Sequence, residues 1–74
     1  MTLKDLYNAL LHAWAMAKRF ADTKDVALMW LGECRGWLRE LVKRLDLGSA
    51  HELPSDFNRA TWEGRIEGAL EMLP

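Results

Sequence analysis

Apolar residues recur at helical spacing along nearly the whole chain, and no stretch alternates as a half-buried strand would. At about 100° per residue, Leu3, Leu6, Tyr7, Leu10, Ala13, Trp14, Ala17, Phe20 and Ala21 share one broad face. Lys4, Asp5, Asn8, His12 and Arg19 fall opposite. Thr2 is placed to cap this first helix, with Asp5 in the capping-box position. The spacing predicts a helix over about 2–21. The turn Asp22-Thr23-Lys24 follows, where Asp22 or Thr23 can cap a second helix over about 24–47 that stops at Gly48. Its main face is Val26, Ala27, Trp30, Leu31, Cys34, Trp37, Leu38, Leu41 and Leu45. Two long helices joined by so short a turn are expected to form an antiparallel hairpin.

Ser49 to Leu53 reads as a connector, with Ser49 and Glu52 in capping-box spacing and Pro54 behind them. Ser55 or Asp56 is expected to cap a third helix over about 56–73. Its main face is Trp62, Ile66, Ala69, Leu70 and Leu73. No repeat, linker or low-complexity tract interrupts this pattern, so residues 1–74 read as one all-α domain.

Four glycines do not suit a plain bundle, since glycine inside a helix costs ~1 kcal/mol against alanine. Gly32 and Gly36 on the second helix, and Gly64 and Gly68 on the third, are spaced four apart and lie off the main apolar faces. Leu28 and Met29 extend the first glycine strip; Phe57, Thr61 and Met72 lie near the second. Such faces suit close approach by another helix, although the spacing is diagnostic only in membranes. Charge follows a similar order. Arg35, Arg39 and Lys43 make a basic stripe beside the glycines of the second helix, and Glu63, Glu67 and Glu71 an acidic one on the third. The expectation is that the stripes face each other, within the chain or across a dimer. The plainer alternative is two solvated faces, because exposed pairs contribute only ~0–1 kcal/mol.

Composition narrows the classes. Half of the 74 residues are apolar and the formal net charge is −1, which excludes disorder. One cysteine cannot staple the chain to itself. A domain of this size buries only about 60% of the surface of its unfolded chain. Its core rarely supplies more than ~3–5 kcal/mol unaided. A homodimeric bundle is therefore expected. The longest apolar run, Val26 to Leu31, is far short of the ~20 residues that span a bilayer. With no secretory signal visible and a lone cysteine, a cytoplasmic protein is expected, with no membrane partner.

Candidate chemistry is sparse. Cys34, between Trp30 and Trp37 on the apolar face, reads as a buried inert thiol. His12 falls on a polar face and His51 in the connector, and both read as solvated. No phosphate-cradling loop or metal-ligand spacing occurs, so no catalytic, cofactor-binding or metal residue is expected. What remains is binding. Trp14, Trp30, Trp37 and Trp62 sit on main apolar faces, yet a core this small cannot easily cover four indoles. Leu11 at the margin of the first helix's apolar face, and Leu28 and Met29 on the second face of the second helix, add further apolar surface. In size and style the chain is similar to the small non-enzymatic helical proteins with which bacteriophages and mobile elements block a host protein, a likeness that no motif carries. The leading expectation is an intracellular interaction module, an inhibitor or adaptor that occupies a surface of a larger protein. The alternative is a small dimeric nucleic-acid-binding regulator using Arg35, Arg39 and Lys43. Residues 1–47 hold eight basic groups against six acidic, but the C-terminal third is acidic.

Overall fold

Local signals start and stop the helices seen in the computed structural model, which describes residues 1–45 and 53–74. Helix α1 (Leu3–Arg19) begins with a reciprocal cap. The Thr2 hydroxyl accepts the Asp5 N–H at 3.1 Å, and the Asp5 carboxylate accepts the Thr2 N–H at 3.0 Å. The Thr2 N–H donated to it, and next the Thr2 side chain beside it, hold the Asp5 carboxyl below its ordinary range. The helix ends two residues earlier than the apolar pattern suggests. Phe20 still bonds Met16 through its N–H but has left helical geometry, and its carbonyl accepts the Thr23 N–H at 2.9 Å to close a tight turn.

Helix α2 (Lys24–Leu45) opens as the Thr23 carbonyl accepts the Ala27 N–H, and Asp25 lies in its first turn. The expected stop at Gly48, the Ser49–Glu52 cap and His51 all lie outside the described residues.

Helix α3 (Arg59–Glu71) starts three residues later than a cap at Ser55 would have it, and two later than one at Asp56. Those two form a turn instead, closed by the Phe57 N–H on the Pro54 carbonyl at 3.0 Å. The cap is Asn58, in extended backbone, whose side-chain oxygen accepts the Thr61 N–H at 3.0 Å. A cap needs its oxygen over the N–H three residues on, and only Asn58 has that placement.

Among the described residues the fold is all-helical, with three helices and no strands. α1 packs mainly on α2, and α3 chiefly on α2. One core draws from all three: Leu3, Leu6, Leu10, Ala13 and Ala17 of α1; Leu31, Cys34, Leu38 and Leu41 of α2; Trp62 and Ile66 of α3. No polar side chain is buried among the described residues, so burial of leucine-sized groups, each ~1.5–3 kcal/mol, supplies the cohesion. Cross-helix contacts set the register. The Arg44 guanidinium donates to the Met1 carbonyl, and His12 stands edge-on to Trp30 at 5.5 Å. Trp14 meets Trp62 edge-to-face at 6.0 Å, and Tyr7 meets Phe57 in the same way at 6.0 Å.

Candidate interaction surfaces

Each surface follows from where a helix points its second face. On α2 the buried set Ala27, Leu31, Cys34, Leu38 and Leu41 defines one side. Gly32 and Gly36 lie on the opposite side by helical period. A Cβ built at either would meet nothing within 4 Å, and the same holds for Gly64 and Gly68 on α3. No described part of the chain makes a close approach there. The glycines of α2 instead open a shallow trough of about 390 Å³ lined also by Glu33, Trp37, Arg39 and Glu40. Leu28 (41% exposed) and Met29 (54%) stand beside it.

The glycine strip of α3 has a different setting from the one its neighbours suggest. Phe57 precedes the helix and is half-buried against Tyr7 of α1. Thr61 lies exposed in the first turn, and Met72, just past the helix, is 85% exposed. Of the residues expected near these glycines, Phe57 therefore lies apart, against α1.

Between α2 and α3 lies a cleft of about 320 Å³, floored by Leu38, Val42 and Ile66 and rimmed by Arg35, Arg39, Arg59, Glu63 and Glu67. The two charged stripes meet here in part. Arg35 approaches Glu67 to 4.0 Å, with both side chains exposed. Glu63 is engaged within α3 by Arg59 at 2.7 Å. Lys43 and Glu71 are exposed near the ends of α2 and α3 and line no part of the cleft.

The tryptophans divide by depth. Trp62 is buried, with the Arg65 guanidinium 4.8 Å above its ring. Trp14, Trp30 and Trp37 are half-buried at the margin of the core, and Leu11 is 39% exposed. A third cleft, of about 220 Å³, is lined by Trp14, Ala17, Ala21, Ala27, Leu31, Ala69, Met72 and Leu73, with Lys18 at its rim. Sequence reasoning did not find it. Its signal was four alanines, one each on α1, the α1–α2 turn, α2 and α3, and their convergence depends on how the helices are placed.

Cys34 is fully enclosed, and burial pushes its thiol up to about 11. Such a thiol is a poor nucleophile at neutral pH. Among the described residues no group of three His, Cys, Asp or Glu side chains converges, and no helix is long and apolar enough to cross a membrane. In comparisons with known proteins, no family model, curated protein or solved structure matches the chain.

Proposed function

We propose that this chain is a small non-enzymatic interaction module which pairs with itself and occupies a surface of a larger protein, as an inhibitor or adaptor of the kind carried by phages and mobile elements. The observation that carries the reading is Leu28 and Met29 standing exposed beside Gly32 and Gly36, a helix face that no described part of the chain approaches. Exposed apolar side chains around a trough are what a helix-in-groove contact uses. The frame we infer is an antiparallel hairpin of α1 and α2 with α3 along α2. Two contacts support it, since Met1 meets Arg44 and His12 meets Trp30, so that low numbers on α1 match high numbers on α2. A lone cysteine with a closed environment suits a reducing cytoplasm.

The rival, a dimeric nucleic-acid-binding regulator using Arg35, Arg39 and Lys43, is placed second. Glu67 draws on Arg35, and two glutamates share the cleft with the arginines, which weakens the field available to a phosphate backbone. A photo-crosslinking residue at position 28, expressed in the native host, tests the choice. One protein adduct heavier than a crosslinked pair of this chain, surviving high salt and absent when the same residue replaces exposed Asn8, is the expected result. Salt-sensitive recovery of nucleic acid with no such adduct would overturn it.

A further inference from the structure

The side of α2 turned away from the core carries Asp25, Met29, Gly32, Gly36, Arg39 and Lys43, all exposed. Their intervals alternate between four and three residues, the spacing of a helix–helix seam. Two glycines alone specify no partner; the order of charges along this seam does. The acid stands at the N-terminal end, the bases at the C-terminal end, and the trough lies between them.

A parallel copy would set Asp25, Arg39 and Lys43 each against its own counterpart, three like-charged layers out of six. An antiparallel copy, with its two-fold axis midway between Gly32 and Gly36, sets Asp25 against the partner's Lys43 at both ends. In the middle it sets Gly32 against the partner's Gly36, where each backbone finds the open space of the other. Met29 then lies along the aliphatic stem of the partner's Arg39. The axis also brings Glu33, which lines the trough, opposite the partner's Glu33, a like-charged contact that stands against the two Asp25–Lys43 pairs. Arg35 is already drawn to Glu67 of its own chain.

We infer that a second copy of this chain docks antiparallel on the Asp25–Met29–Arg39–Lys43 face of α2, closing over the trough. The inference rests on the homodimer in the reading above and supplies its face and its direction. A two-fold contact of this kind is self-complementary, which the seam's charge order satisfies in one direction only.

Sedimentation equilibrium over a wide concentration range tests it, with circular dichroism to show that each variant is folded. The wild-type chain should dimerise. Asp25→Lys alone and Lys43→Asp alone should each weaken self-association about tenfold or more, since either change makes both end layers like-charged. An equimolar mixture of the two should restore the dimer. At one end of the mixed pair the lysine introduced at position 25 meets the aspartate introduced at position 43. At the other end the native Asp25 of one chain meets the native Lys43 of the other. Gly36→Leu puts a side chain into the trough at a position where a Cβ meets nothing within 4 Å, so it should keep helix content while losing the dimer. A strictly monomeric wild type would overturn both this inference and the homodimer it rests on. A wild-type dimer indifferent to all three variants would overturn the face and leave the homodimer standing. Singles that weaken association without rescue on mixing would overturn the antiparallel direction.

Discussion

Burial of Cys34 has a measurable consequence in alkaline solution. Its thiol is raised from 9.0 to about 11 by desolvation, so between those values the unfolded chain has released a proton that the folded chain retains. The folded state therefore binds more protons, and stability falls as pH rises through that window, with a slope approaching about 1.4 kcal/mol per pH unit. Urea unfolding at pH 8.5 and 10.5 should show a steeper fall for the wild type than for Cys34→Ala; parallel falls would remove the explanation. Gly64 has the opposite character. It sits on the outer side of α3 with nothing within 4 Å of a built Cβ. Gly64→Ala should then add about 0.5–1 kcal/mol by restoring helix propensity alone. A loss of stability on chemical denaturation would reveal a contact there.

At the scale of elements, the caps decide where helices begin. Asn58 accepts the Thr61 N–H, so Asn58→Ala should cost about 1 kcal/mol. Asp56→Ala, in the preceding turn, should change stability by less than about 0.5 kcal/mol. Equal effects in thermal unfolding would return the cap to the earlier position. The first cap was legible in the sequence because Thr2 and Asp5 form a single capping-box pattern with no competitor. For the third helix the sequence pointed to Ser55 or Asp56, and the turn that Pro54 and Phe57 close moved the cap on to Asn58. Charged stripes sort at this scale as well. Arg35 and Glu67 meet at the surface, so Glu67→Lys should lower stability by no more than about 1 kcal/mol, an effect that salt should shrink.

At the scale of the whole molecule, the chain measures 39 × 21 × 17 Å with a radius of gyration of 12.5 Å. A compact chain of this length would have about 11 Å. An elongated shape leaves more helix surface uncovered, and the half-buried Trp14, Trp30 and Trp37 lie along its margins. Trp62 is the exception. It joins α3 to the core, buried and edge-on to Trp14. Trp62→Ala should cost about 3–5 kcal/mol, comparable with everything a core of this size supplies. Loss of the cooperative melting transition is expected. A variant that melted as the wild type does would show that α3 contributes little.

Three helices and the residues that line their inner faces were determined by the sequence itself. Leu6, Leu10, Leu31, Leu38, Leu41, Trp62 and Ile66 are buried where a 3.6-residue period puts them, because periodicity and capping act over a few neighbouring residues. What lies against the outer faces is a matter of non-local placement, and only the tertiary structure decided it. It set Phe57 on Tyr7 rather than beside the glycines of α3, brought alanines from separate segments into one cleft, and left Gly32 and Gly36 facing open space. A helix's own sequence specifies which side seeks burial. Which neighbour arrives there depends on every other side chain competing for the same core.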